Sequence, residues 1–208
     1  RGVRGAAAGS LVTTRCPKRS SHAMCGRLSR PLRRRHLAAT LRVYELDHPD
    51  TQVAKRERLQ RIALLPENLE FVAVDFERET VADALQRASF DPLRPAFFSW
   101  LGTPPYLSNE ATLATLQAIA ESAAPGSELV FDYLIPDALL EGVQLEVMQT
   151  LRGYTERRNE PLRGAIHPAE LQNTVQAMGF EWLEELDGHQ QYQRYFAERQ
   201  DDLVPMHA

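Results

Sequence analysis

The stretch of this chain that most constrains its fold is Leu41–Leu65, LRVYELDHPDTQVAKRERLQRIALL. A short β-prone run ends in two carboxylates, Glu45 and Asp47, and Pro49 then suits the first turn of a long helix. An acidic residue at the carboxyl end of a strand that leads directly into a helix is a common ribose-binding arrangement. The stretch therefore predicts a nucleotide-binding type of α/β sheet.

The rest of the chain continues this alternation of strands and helices. Apolar periodicity predicts strands at 69–74, 95–101, 127–133 and 180–186, and helices at 81–88, 108–122, 136–158 and 168–178. The helix at 136–158 is expected to be weakened at Gly142 and Gly153. Thr80 and Ser108 are expected as N-caps, and Gly179 as the residue that ends the last of these helices. Alternation at about 25–30 residue spacing is typical of βαβ units on a parallel sheet.

Two local expectations concern burial. The helix that begins near Pro49 is expected to present an apolar face that includes Val53 and Leu59. The strand at 95–101 is apolar throughout, so it is expected to be buried on both faces of the sheet.

The composition excludes several classes of protein. The 208 residues suffice for one core, and no apolar run approaches the ~20 residues of a membrane span. Cys16 and Cys25 lie in no cluster of histidines or cysteines, so no metal site is predicted, and the sparse cysteines fit a cytoplasmic protein. Residues 1–40 carry nine Arg, one Lys and no acid, which leaves 14 basic and 28 acidic side chains in the remainder. The acidic body disfavours nucleic-acid binding.

The chain is therefore divided into a basic, disordered or non-native arm (1–40) and a folded domain (41–208). An arm rich in Arg and Ser and free of acids is compatible with RNA binding, a transit peptide or a flexible tail. Its composition is equally that of a GC-rich reading frame translated out of register. Deleting residues 1–40 would abolish salt-sensitive RNA binding if the arm had that role.

Three strand ends carry residues that could bind a ligand. They are Glu45 with Asp47, Asp75 with Phe76, and Trp100-Leu101-Gly102. Because ligands of open α/β sheets bind beyond the carboxyl ends of the strands, these residues are expected to surround one site. A helix N-cap is the simpler explanation for any one of these acids. Two acids at successive strand ends favour a nucleoside ligand, and the cofactor of an NAD-dependent dehydrogenase is one alternative.

Four blocks of the sequence resemble the leucine carboxyl methyltransferase family, a group of S-adenosylmethionine-dependent O-methyltransferases. They are LRVYELDHPDTQVAKRERL, PENLEFVAVDFERETVADAL, FFSWLGTPPYLSNEATLATLQAIAESAAPGSELVFDY and EPLRGAIHPAELQNTVQAMGFEWLEEL. The resemblance extends from about Leu41 to Pro205. It implies a class I methyltransferase-like (Rossmann-like) α/β sheet with helices on both faces, and S-adenosylmethionine as cofactor. The DHPxTQ context and the Asp75-Phe76 pair favour this family over a dehydrogenase.

The resemblance also implies roles for individual residues. Asp47 would bind the ribose with Glu45 beside it, and Asp75 with Phe76 would hold the adenine. Leu101 and Gly102 occupy the positions of a Glu-Gly step near the methionine end of the cofactor, so that acidic contact is absent or replaced. The methyl acceptor would be a hydroxyl or carboxylate of a small molecule. No residue stands out as catalytic.

The sequence departs from the family upstream of Leu41. A first strand with a glycine-rich loop is expected there, yet Cys25-Gly26-Arg27 lacks the second glycine. Without that central strand, either Ser10–Thr14 fills its slot or the sheet is split. The last antiparallel strand of the family would begin only near Met206. We therefore expect weak cofactor binding or none, and the alternative function is an inactive, truncated or degenerate methyltransferase-like protein.

Overall fold

A computed structural model describes residues 9–15, 23–24, 41–62 and 67–201. Seven strands lie in these ranges: β1 (Gly9–Arg15), β2 (Ala23–Met24), β3 (Val43–Asp47), β4 (Leu69–Ala73), β5 (Phe97–Trp100), β6 (Glu128–Leu134) and β7 (Glu181–Leu186). The α-helices there are α1 (Pro49–Ile62), α2 (Val81–Gln86), α3 (Asn109–Ser122), α4 (Val143–Arg157), α5 (Pro168–Ala177) and α6 (Gly188–Tyr195). Two 3-10 turns span Pro104–Tyr106 and Asp137–Leu139.

The strands form one sheet in the order β4-β3-β2-β5-β6-β1-β7. Strands β2 to β6 pair in parallel, so their carboxyl ends meet at one edge. Helices cover both faces, because alternate residues of β3 contact different helices. Glu45 reaches α1, whereas Tyr44 and Leu46 line a cavity with residues of α2 and α3. The predicted α/β class is confirmed.

The slot between β3 and β5 is filled by the two residues of β2. Ala23 is in register with Val43 on one side and with Phe97 on the other, parallel to both. The expectation that Ser10–Thr14 fills this slot or that the sheet is split is wrong on both counts. A two-residue strand is too short to show any hydrophobic period.

Ser10–Thr14 instead belongs to β1, which runs antiparallel between β6 and β7. Gly9 pairs with Leu134 and Leu11 with Leu186, and the register with β7 shifts between Thr13 and Thr14. This strand holds the antiparallel position that the sequence assigned to residues near Met206, which lie outside the described ranges. The division of the chain at residue 41 stays a prediction, although two segments from before it are strands of the same sheet.

Local capping signals set the helix boundaries as predicted. The Thr80 hydroxyl accepts from the N–H of Asp83, whose carboxylate accepts from the Thr80 N–H in return, so α2 begins with a capping box. The Ser108 side chain accepts from the Ala111 N–H at the start of α3. Gly179 follows α5 with φ of 95°, which only glycine adopts without strain.

Three expectations from the sequence are corrected. The helix expected at 136–158 is broken at Gly142, whose φ of 54° separates a 3-10 turn from α4. Val53 is exposed, whereas the polar Gln52 is buried because it bonds to Glu45. Phe97 is also partly exposed, because β5 starts there, at its single register pair with β2.

The core lies against the central strands and contains Phe98, Leu116, Leu129 and Phe131 among its most buried side chains. No helix within residues 9–15, 23–24, 41–62 and 67–201 has the length and apolar character of a membrane span.

Candidate functional site

The carboxyl ends of β3 and β4 bring two predicted site residues together. Asp47 is the last residue of β3, and its carbonyl accepts a hydrogen bond from the Val74 N–H at 3.0 Å. Asp75 therefore follows directly beside Asp47 at the same edge. His48 lies between them, with its Nε2 atom 3.9 Å from Asp75 Oδ2 and its Nδ1 atom accepting from the Asp50 N–H at 3.4 Å.

Glu45 lies deeper in the sheet than the other acids. Its side chain has no exposed surface, and it forms an ion pair with the Lys55 ammonium. The amide nitrogen of Gln52 donates to both the Glu45 carboxylate (3.2 Å) and the Glu45 carbonyl (3.1 Å). Both partners come from α1, three residues apart, which places them on one face of the helix. Glu45 is thus enclosed by protein, with its carboxylate satisfied internally.

Lys55 also reaches the strand end, where its Nζ atom lies 2.7 Å from Asp47 Oδ2. Burial by itself lowers the pKa of this lysine. The hydrogen bonds and charges of Asp47 and Glu45 outweigh burial and hold its pKa above the ordinary value. Lys55 therefore remains a cation bound to two carboxylates.

Asp47 is the more accessible of these two acids, with 26% of its side chain exposed. Its Oδ1 atom accepts from the His48 N–H at 2.8 Å, and its Oδ2 atom accepts from Lys55. A carboxylate has about four lone-pair positions in all, so each oxygen retains capacity for another donor.

Asp75 is similarly half-buried, with 29% of its side chain exposed. Its Oδ1 atom accepts from the Glu77 N–H at 3.1 Å, and Arg78 Nε lies 3.6 Å from Oδ2. These contacts form a tight turn after β4 and fix the direction of the carboxylate.

An apolar cavity lies beneath this edge, between the sheet and helices α2 and α3. Phe76 and Trp100 form one wall, with ring centroids 5.9 Å apart, and Leu46, Val81 and Ile119 complete it. Trp100 is buried, and its Nε1 atom has no hydrogen-bond partner among the residues that the structure describes. A buried donor without a partner is costly, so a cavity that holds one suits a ligand with an acceptor atom.

Leu101 and Gly102 follow β5, on the other side of β2 from Asp47. Two strand spacings separate β3 from β5, which corresponds to about 10 Å. Gly102 adopts φ of 73°, and its N–H donates to both oxygens of Asp132 at 2.8 and 2.9 Å. An acid from β6 therefore contacts the backbone of Gly102, the residue after Leu101.

Sequence reasoning missed three residues of this edge: Gln52, Lys55 and Asp132. Gln52 and Lys55 lie within the quoted TQVAKR motif, and their spacing of three was the available signal. The pairing of Asp132 with Gly102 joins two strands and had no local signal. Cys25-Gly26-Arg27 lies outside the described residues.

Other candidate chemistry in the described part of the chain is limited. No group of three His, Cys, Asp or Glu side chains within it could hold a metal ion. The His167 side chain accepts from the Ala169 N–H at 3.3 Å, which makes it the N-cap of α5.

Comparison with known proteins supports the family resemblance. Residues 25–120 match the leucine carboxyl methyltransferase family. "Putative S-adenosyl-L-methionine-dependent methyltransferase YktD" of Bacillus subtilis is 27% identical over 80% of this chain and 55% of that protein. A Mycobacterium tuberculosis protein whose name describes it in the same terms is 39% identical over 47% of this chain and 32% of that protein. The chain thus spans about half the length, or less, of these relatives, and their names carry the cofactor expected from the sequence.

Two solved structures share the fold. A DUF574 family protein from Streptomyces avermitilis matches with a TM-score of 0.53 and 16% identity, over 74% of this chain and 58% of that one. An O-methyltransferase family 2 protein from Planctomyces limnophilus, solved with apigenin, matches with a TM-score of 0.51 and 14% identity, over 82% and 49%. At these identities the likeness concerns the fold alone.

Proposed function

Because over residues 25–120 this chain belongs to the leucine carboxyl methyltransferase family, we propose that it binds S-adenosylmethionine at the carboxyl edge of the sheet. We propose further that it contributes to methyl transfer to a hydroxyl or carboxylate of a small-molecule acceptor. The observation that carries the proposal is the pair of carboxylates Asp47 and Asp75 at adjacent strand ends, with His48 between them.

The chemistry of these residues fits the adenosine part of the cofactor. Asp47 accepts hydrogen bonds from the two ribose hydroxyls through the lone pairs that Lys55 and His48 leave available. Asp75 accepts a hydrogen bond from the exocyclic amine of adenine. Phe76 provides an apolar surface for the ring, next to Trp100.

The methionine part of the cofactor would extend toward Leu101 and Gly102. Because Gly102 lacks a side chain, a ligand can approach the backbone closely there. The Gly102 N–H donates to the Asp132 carboxylate, which places an acid next to this backbone. An acid at this position suits the amino group of the methionine moiety.

When bound, S-adenosylmethionine supplies an electrophilic methyl group on its sulfonium. The protein then contributes mainly by holding the acceptor in line with that methyl group, which can supply much of the rate. A carboxylate acceptor needs no general base, whereas a hydroxyl acceptor is helped by one. We assign no catalytic residue.

A second candidate is an inactive methyltransferase-like protein that binds no cofactor. The sequence observation that favours it is Cys25-Gly26-Arg27, which stands where the family has a glycine-rich loop and lacks its second glycine. A side chain in place of that glycine would hinder the approach of the methionine carboxylate to the backbone.

Isothermal titration calorimetry with S-adenosylhomocysteine distinguishes the two candidates. We expect weak but saturable binding to the whole chain, and about tenfold or greater weakening in Asp47→Asn, because hydrogen bonds to charged groups contribute roughly 1.5–3 kcal/mol. Glu57→Gln is the matched control, since it removes a carboxylate from the exposed surface of α1. A folded chain that binds no S-adenosylhomocysteine, or an Asp47→Asn variant that binds like Glu57→Gln, would refute the proposal.

A further inference from the structure

The cluster formed by Glu45, Lys55 and Asp47 has a feature that ribose binding does not require by itself. Glu45 and Asp47 are two residues apart on β3, so both side chains project from the same face of the sheet. Lys55 reaches them from α1 and bonds to both carboxylates with one ammonium group. One cation thus links a buried acid to an accessible one.

The buried member of the cluster does not contact a ligand directly. Glu45 has no exposed surface, and Gln52, which also bonds to it, is itself buried. A carboxylate enclosed in this way requires a compensating charge, because an unpaired buried charge is strongly unfavourable. Lys55 is the cation that meets this requirement among the contacts of Glu45. The buried Glu45 carboxylate therefore fixes the position of the Lys55 ammonium group.

The accessible member of the cluster depends on that fixed position. The Asp47 carboxylate is held by two donors, the His48 N–H on Oδ1 and Lys55 Nζ on Oδ2. Without Lys55, the backbone N–H of His48 would be the one donor left to this carboxylate from the described ranges, and the carboxylate could then rotate toward water. A group held in its binding orientation before the ligand arrives loses less entropy on binding.

We propose that Lys55 is a positioning residue for ribose recognition, which acts through Asp47 and is anchored by the buried Glu45. The inference rests on the function proposed above, because it assumes that Asp47 receives the ribose. In this proposal Glu45 binds Lys55 and does not contact the ligand. Its specific consequence is that the contribution of the ribose hydroxyls to affinity depends on Lys55.

The test compares two ligands, S-adenosylhomocysteine and its 2′-deoxyribose analogue, by calorimetry with the full chain. We expect the parent to bind the first ligand roughly tenfold more tightly than the second, the size of one hydrogen bond to a charged group. In Lys55→Gln this ratio should fall to about two, because the Asp47 carboxylate is no longer held in place. Arg58→Gln is the control, since it removes an exposed cation from the same helix and should leave the ratio unchanged.

A second variant addresses the possibility that Lys55→Gln fails to fold. Glu45→Gln combined with Lys55→Gln removes the buried charge together with its partner, so the fold should survive while Asp47 still lacks its cation. The ligand ratio should again fall to about two in this double variant. Glu45→Gln alone leaves Lys55 on Asp47 and should retain most of the parent ratio.

The outcomes separate this inference from the function on which it rests. A parent chain that binds neither ligand refutes the proposed function, and the inference with it. A parent that binds both ligands, with its ratio unchanged in the folded variants that lack Lys55, refutes the inference alone. Equal weakening of both ligands in those variants also overturns it, because that pattern would show Lys55 to be structural only.

Discussion

Replacing Lys55 by Gln should destabilise the protein far more than replacing Glu45 by Gln. The first change leaves the Glu45 carboxylate buried, with Gln52 at 3.2 Å as its remaining side-chain donor. Removing one partner of a buried ion pair lowers the free energy of unfolding by about 3–5 kcal/mol. Because Gln52 still donates to the Glu45 carboxylate, we expect a loss of about 3 kcal/mol, at the lower end of this range. The second change leaves Lys55 paired with the partly exposed Asp47, so its cost should be about 1 kcal/mol.

The double variant measures the coupling between the two residues. Because it removes the buried carboxylate together with its cation, we expect it to cost about 1–2 kcal/mol, less than Lys55→Gln alone, and the coupling free energy is then roughly 2–3 kcal/mol. Urea unfolding followed by circular dichroism gives these values from the transition midpoints, provided that the slope of the transition stays constant. Additive costs, or a Lys55→Gln variant as stable as Arg58→Gln, would refute this account of the cluster.

Three further predictions follow from the described contacts. Thr14 is fully buried in the antiparallel strand, so Thr14→Lys should cost several kcal/mol in urea unfolding, whereas a change of about 0.5 kcal/mol or less would show that this strand is not in the sheet. Trp100→Phe removes a buried N–H that lacks a partner in the described part of the chain, so the free energy of unfolding in urea should change little, and a loss above about 3 kcal/mol would contradict that placement. Since the pKa of Lys55 is raised in the folded state, its stabilising effect should be complete below the unfolded-state value near 10.5 and decline as pH rises through the folded-state value. The stability difference between the parent and Lys55→Gln should therefore narrow at strongly alkaline pH, and a difference that stays constant there would contradict the assignment.

Much of the fold from residue 41 onward could be predicted because its signals are local. Strands β3 to β7 and helices α2, α3 and α5 follow from hydrophobic period and from caps such as Thr80 and Ser108. Such signals act over one or two turns and need no knowledge of distant residues. The order of acids at the strand ends was readable for the same reason, because each acid directly follows its own strand.

Several contacts of the site could not be predicted because the two partners belong to different helices or strands. Val53 was expected on the buried face of α1 and is exposed, whereas Gln52 is buried and bonds to Glu45, seven residues away. Asp132 bonds to the backbone of Gly102, thirty residues earlier. No period within a helix or strand encodes such contacts.

Local patterns in the sequence were enough to predict an α/β sheet with acids at successive strand ends, and a resemblance to the family that residues 25–120 match. How the sheet is completed could be read only from the folded chain. Ala23–Met24 bridges β3 and β5, and Gly9–Arg15 pairs antiparallel with β6 and β7. Strand pairing satisfies backbone groups whatever their side chains are, so it leaves little trace in a short segment. The proposed role of Lys55 also depends on tertiary structure, because it arises only where one face of α1 contacts two acids of β3.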